Sequence, residues 1–161
     1  MKFVMNGGLI LGTMDGANVE IYQEVKEENI FIFGARVEAI EPLRHRMSTI
    51  SPEEYIPSEL KKVIQAIRSG TFGEKDLLMQ LVSTITNNND VYLVTADFQD
   101  YIAAQKVVDE TYKDKTKWTK MSIMNSLRTG KFSSDRTIQQ YADQIWNLKK
   151  IKVDPGKEII S

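Results

Sequence analysis

Apolar residues come in short runs between polar turns along the first part of the chain, and at helical spacing further on. Residues 1–8 read as the end of a helix, Lys2-Phe3-Val4-Met5, stopped by Gly7-Gly8, because two adjacent glycines disfavour its continuation. Leu9-Ile10-Leu11-Gly12-Thr13 predicts a short buried strand, Asp15-Gly16 a turn, and residues 17–26 a helix with Asp15 as its N-cap. Asn29-Ile30-Phe31-Ile32-Phe33-Gly34 predicts a second strand, since four consecutive apolar residues bounded by Asn and Gly suit burial on both faces. A short helix over 36–44 and a polar loop over 44–49 follow.

Ser51-Pro52-Glu53-Glu54 has the form of a helix start: Ser51 as cap, Pro52 in the first turn, Glu54 completing a capping box. The helix it opens carries Leu60, Val63, Ile64 and Ile67 inward and stops near Gly70. Another spans 74–85, with Leu77, Leu78, Leu81, Val82 and Ile85 on its apolar face. Asn87-Asn88-Asn89-Asp90 predicts a turn, and Val91-Tyr92-Leu93-Val94-Thr95 a third strand. Three helical segments come next, marked by Phe98, Tyr101, Ile102, Val108 and Tyr112, then Trp118, Met121, Met124 and Leu127, then Ile138, Tyr141, Ala142 and Ile145. Gly130 and Ser133-Ser134-Asp135 separate the last two, and residues 149–161 read as a loose tail. This order predicts an α/β fold: three evident strands, parallel, with crossover helices and a helical C-terminal third.

The chain of 161 residues suffices for one domain or a large piece of one. Lys and Arg number 21 against 22 Asp and Glu, so charge gives no case for a nucleic-acid or membrane partner. No cysteine is present, which removes disulfides, thiolate metal ligands and cysteine nucleophiles, and fits a cytoplasmic protein. His45 is the single histidine, flanked by Arg44 and Arg46; it reads as a surface residue, and no metal site is expected. There is no secretory leader pattern in residues 1–15 and no apolar run near the ~20 residues that span a bilayer.

Most chemistry-bearing patterns have plain readings. Gly12 to Gly16 matches neither the dinucleotide fingerprint nor a P-loop, and reads as a tight turn between strand and helix. Glu53-Glu54 and Asp109-Glu110 point in different directions on a helix, so no catalytic carboxylate pair follows. The Trp118, Met121, Met124 stripe reads as core. Asp114 interrupts the mildly basic run from Lys113 to Lys120.

Lys2 stands apart. The run Met1-Lys2-Phe3-Val4-Met5-Asn6, continued by Gly12-Thr13-Met14-Asp15-Gly16-Ala17-Asn18-Val19-Glu20, resembles the pyridoxal-phosphate lysine segment of the α-glucan (glycogen/starch) phosphorylases. Glu28-Asn29-Ile30-Phe31-Ile32-Phe33-Gly34, Trp118-Thr119-Lys120-Met121 and Gly130-Lys131-Phe132-Ser133-Ser134-Asp135-Arg136-Thr137-Ile138 resemble further segments of that family, in order, with Tyr141 and Ile145-Trp146 after them. The resemblance runs over 1–148 and is looser over 40–90.

It implies the C-terminal part of the cofactor-bearing domain, one Rossmann-like lobe of a GT-B glycosyltransferase fold whose last helices reach across to the N-terminal lobe. It implies retaining phosphorolysis of α-1,4-glucan by inorganic phosphate, giving glucose 1-phosphate. Lys2 would hold pyridoxal 5′-phosphate as a Schiff base, as an anchor rather than an acid or base. The glycine-bearing half of the motif, which supplies the phosphate nest in the family, would fall before residue 1. The chain is therefore expected to start inside an active-site motif, to hold little cofactor and to be inactive alone. Two alternatives are a non-enzymatic interaction module or remnant that self-associates or pairs with a full-length phosphorylase, and a stand-alone pyridoxal-phosphate protein resting on Lys2; the expected partners are the missing N-terminal lobe or another copy of the chain.

Overall fold

Gly7 ends the first helix by geometry. The structure, a computed structural model describing residues 1–86, 90–149 and 151, starts with a single turn, α1 (Lys2–Met5). Gly7 then adopts φ +82°, where a side chain is unfavourable, and its N–H and that of Gly8 return to the Val4 and Phe3 carbonyls at 2.9 and 2.7 Å. Strand β1 (Leu11–Gly12), helix α2 (Ala17–Val25), a 3₁₀ turn (Glu27–Asn29) and strand β2 (Phe31–Ile32) follow. The strands pair in parallel, Leu11 opposite Phe31 and Gly12 opposite Ile32, with Phe31 N–H donating to Ile10 C=O at 2.9 Å. The predicted strand–helix–strand unit is therefore present, on shorter strands than the apolar runs suggest. A ladder exists only where two backbones face each other, and here it is two residues deep.

Asp15 does not cap α2. Its carboxylate accepts the Thr13 hydroxyl at 3.0 Å, and Gly16, at φ +47°, takes the cap position with no side-chain bond. The Asn18 side-chain amide closes this turn onto Thr13 C=O at 2.9 Å. A Cβ on Gly12 would lie 2.7 Å from that amide nitrogen, so the close approach requires glycine.

Helix α3 (Val37–Thr49) passes Pro42 and extends through the expected loop. The hydroxyls of Ser48 and Thr49 donate to the carbonyls of His45 and Arg46 at 2.7 and 2.8 Å, satisfying acceptors in its last turn. The helix expected from Ser51 to Gly70 is two, α4 (Pro52–Tyr55) and α5 (Ser58–Arg68). Pro57 divides them, because the residue before a proline is pushed out of the helical region; Ile56 sits at φ −72°, ψ 123°. The Ser51 side chain meets that of Glu54 at 3.1 Å and accepts no helix N–H, although the Ser51 C=O accepts Glu54 N–H at 2.9 Å, so the capping box is incomplete. Helix α6 (Lys75–Ser83) is shorter than expected.

The third strand is not there. Residues 91 and 92 form a turn, Leu93 has a left-handed φ of 56°, and helix α7 (Val94–Lys113) begins at once. Asp90 decides this: its carboxylate accepts Val94 N–H (2.8 Å), Thr95 N–H (2.7 Å) and the Thr95 hydroxyl (2.6 Å), capping the helix from outside. The Asn87–Asn89 part of the predicted turn, and nearly all of the predicted tail, lie outside the described residues. The helical C-terminal third is present as α7, α8 (Lys115–Arg128), a 3₁₀ turn (Thr129–Phe132), α9 (Ser134–Tyr141) and a π-helical turn (Ala142–Trp146). Asp114 caps α8 through Lys117 N–H at 2.9 Å, and Ser133 caps α9 through Arg136 N–H at 3.3 Å.

Apolar burial gathers in two clusters. Val4, Ile21, Val25 and Ile30 bring together α1, α2 and the segment leading into β2, with Ile10, Ile32 and Phe132 packed around them. Ile56, Leu60, Ile64 and Val82 join α5 to α6. Full burial of such a side chain contributes roughly 1.5–3 kcal/mol. Other residues expected inside are not covered: Leu77, Leu81, Ile138 and Ile145 are each more than half exposed.

Candidate functional site

Lys2 occupies the first position of α1, a helix held by its far side. Val4, two residues on, is 3% exposed in the first cluster, whereas Lys2 and Phe3 face outward. Two bonds fix the short helix. The Asn6 side-chain amide donates to Lys2 C=O at 2.8 Å, and the Ser122 hydroxyl on α8 donates to Gly7 C=O at 2.8 Å. The Lys2 backbone is thus tied to α8 while its amine stays open to solvent; among the described residues it has no ion-pair partner.

This geometry fits one end of pyridoxal phosphate. A primary amine on an anchored backbone can take up an aldehyde carbonyl. The phosphate end needs several N–H donors or cations facing one point, and α1 is a single turn that cannot supply them. Lys2 lines none of five cavities among the described residues; one of them, about 380 Å³ between α4, α5 and α6, includes Lys61, Arg68 and Met79.

The Gly12–Gly16 turn is occupied with its own structure. Asn18 N–H goes to Asp15 C=O at 3.0 Å and Val19 N–H to Gly16 C=O at 3.2 Å, so two early amides of α2 are used internally. The turn is a connection, as its spacing implied. His45 is exposed on α3. Among the described residues, no three His, Cys, Asp or Glu side chains are grouped to hold a metal ion, and no helix is long and apolar enough to cross a membrane.

Sequence reasoning missed the polar network behind α1. Asn125, fully buried on α8, donates through Nδ2 to Asn29 C=O at 2.7 Å and to Met121 C=O at 2.9 Å. Arg128 donates to Val25 C=O at 2.8 Å and pairs with Glu28 at 3.5 Å. Asn29 returns its own side chain to Val25 C=O at 2.8 Å, so the C-terminal end of α2 is capped twice. Lys131 binds Glu24 and holds that carboxyl below the usual glutamate range, chiefly through the hydrogen bond. One signal was available: Asn125 falls four residues after Met121, on the face that Met121 buries.

A family model of carbohydrate phosphorylases matches residues 1–148. Glycogen phosphorylase 2 of Dictyostelium discoideum is 42% identical over the whole chain, which spans 16% of that relative. The muscle form of glycogen phosphorylase from Rattus norvegicus is 47% identical over 92% of the chain, equal to 18% of the relative, and α-glucan phosphorylase 1 of Arabidopsis thaliana is 43% identical over 95% of the chain, equal to 16% of the relative. The chain thus spans about a sixth of the length of these relatives.

Proposed function

Since the chain belongs to the carbohydrate phosphorylase family, we propose that it is the cofactor-lysine-bearing C-terminal part of an α-glucan phosphorylase. Lys2 is the residue that would hold pyridoxal phosphate. The observation that carries this reading is Lys2 itself: a solvent-facing lysine on a helix whose other face is fixed by Val4 and Ser122. When bound, the cofactor contributes its 5′-phosphate as a proton-exchanging group beside the substrate phosphate. Lys2 sets where the cofactor lies and takes no part in that proton exchange. Residues 1–148 are read as part of the Rossmann-like, GT-B lobe, in which β1 and β2 belong to a larger sheet completed by other polypeptide.

The 161-residue chain assayed alone with glucan, phosphate and cofactor is expected to form no glucose 1-phosphate above background. Catalysis requires oriented groups around both substrates, and Lys2 lines none of the five cavities described among residues 1–86, 90–149 and 151. The deciding experiment is complementation. The chain is mixed with a phosphorylase polypeptide ending just before the corresponding lysine, and glucose 1-phosphate formation is followed. The unaltered chain is expected to restore activity and Lys2→Ala to abolish it; equal restoration by both overturns the assignment.

A second reading, an interaction module, has its own support. Ile138, Ile145 and Trp146 near the C-terminal end are 58%, 66% and 53% exposed, more apolar surface than a single amphipathic segment normally leaves uncovered. We read this surface as the seat of the opposing lobe or of another copy. A monodisperse monomer by light scattering that fails to bind ANS would count against it.

A further inference from the structure

One stripe of α8 collects backbone carbonyls from three segments. Ser122, Asn125 and Arg128 follow at three-residue spacing, so each neighbours the next on the helix surface. The Ser122 hydroxyl donates to Gly7 C=O just past α1 at 2.8 Å, Asn125 Nδ2 to Asn29 C=O just before β2 at 2.7 Å, and Arg128 to Val25 C=O at the end of α2 at 2.8 Å. Every partner is a main-chain oxygen, so α8 fixes the course of these segments whatever side chains they carry.

The three targets differ in what else holds them. The chain from α2 to β2 places Ile21, Val25 and Ile30 in the first apolar cluster, and β2 is paired with β1. Helix α1 contributes one buried side chain, Val4, to that cluster. Among the described residues, the bond from Ser122 to Gly7 is the one hydrogen bond that ties residues 1–8 to a distant element. The bond from Asn6 to Lys2 C=O lies within the segment and turns with it. A four-residue helix seated on a single side chain can pivot about it, and a second attachment removes that freedom. Ser122 supplies the attachment three residues beyond Val4. The lever is long, because the Lys2 amine sits at the end of a four-carbon stem and any rotation of α1 is enlarged there.

We propose that Ser122 is a positioning residue for the cofactor lysine. Through Gly7 it fixes the rotation of α1 about Val4, and with it the point from which the Lys2 amine reaches the cofactor. The proposal rests on the reading of Lys2 given above and adds to it a residue on α8, 120 positions away in sequence.

The test compares Ser122→Ala with Arg128→Ala, which cuts a neighbouring contact of the same stripe that leads to α2 and not to α1. Backbone ¹⁵N relaxation on the 161-residue chain reads the attachment directly. Order parameters over residues 3–7 are expected near about 0.85 in the unaltered chain and in Arg128→Ala, and to fall toward about 0.6 in Ser122→Ala. Each chain is then complemented as above at limiting pyridoxal phosphate, and the cofactor is fixed in place with borohydride. Label at Lys2 is expected to drop about three- to tenfold in Ser122→Ala, the effect of one lost hydrogen bond, and to stay near the unaltered level in Arg128→Ala. Unchanged order over residues 3–7 in Ser122→Ala, equal loss in both variants, or unchanged label at Lys2 overturns the proposal alone. Equal complementation by Lys2→Ala overturns the Lys2 reading, and the proposal with it.

Discussion

The Ser122 hydroxyl donates to Gly7 C=O at 2.8 Å across 115 residues of sequence, joining the end of the Lys2 helix to the middle of α8. Gly7 is doubly constrained there: its φ is +82°, and an added Cβ would come within 2.4 Å of the Ser122 oxygen. Gly7→Ala is expected to destabilise the chain by about 1–3 kcal/mol in urea unfolding. In a Ser122→Ala background the clash disappears and the left-handed strain stays, so the cost should fall to about 1 kcal/mol. An equal cost in both backgrounds would show that the contact contributes nothing.

Asn125 ties α8 to the turn before β2 through Asn29 C=O and to its own helix through Met121 C=O, with no exposure. Asn125→Ala strands the Asn29 carbonyl in the interior and leaves a void, at an expected cost of about 2–4 kcal/mol. The urea midpoint should drop accordingly, and a change under about 0.5 kcal/mol would contradict the network.

Asp90 caps α7 with three accepted hydrogen bonds. Asp90→Ala is expected to cost about 1–2 kcal/mol, and Asp90→Asn less, since asparagine caps nearly as well. Hydrogen exchange at Val94 and Thr95 reads the effect locally: both amides should lose protection in Asp90→Ala, whereas Asp90→Asn, with a single acceptor oxygen, should keep only one of the two protected, because Val94 N–H bonds to Oδ1 and Thr95 N–H to Oδ2.

The Glu24–Lys131 pair gives a pH dependence with a definite sign. The folded-state pKa of Glu24 is lowered, so its contribution is present above the unfolded value, about 4.3, and is lost as pH falls through the lower folded value. Glu24→Gln should therefore be less stable than the unaltered chain near neutrality and converge with it in acid. A gap that widens below pH 4 has the wrong sign for this pair.

Lys2 itself should contribute almost nothing to folding, because its side chain is exposed and unpaired among the described residues. Lys2→Ala is expected within about 0.5 kcal/mol of the unaltered chain by thermal or urea unfolding. A larger loss would mean that the complementation experiment reads stability and not the anchor.

The residues alone determined the local units with strong punctuation. Gly7-Gly8 ended α1, the apolar run 30–33 marked β2, and the three-and-four spacing around Phe98, Trp118 and Ile138 located the final helices. The motif around Lys2 placed the chain in its family, because a long ordered match depends on residue identity and not on contacts. Tertiary structure decided the rest. Val91–Thr95 has the composition of a strand, but a strand needs a neighbour to bond, and Asp90 offers these backbone groups a cap instead. The partnership of Ser122 with Gly7 and the bond from buried Asn125 to Asn29 C=O join residues 115 and 96 positions apart. Periodicity reports which face of a helix is apolar; whether anything comes to lie against that face is settled only when the elements pack.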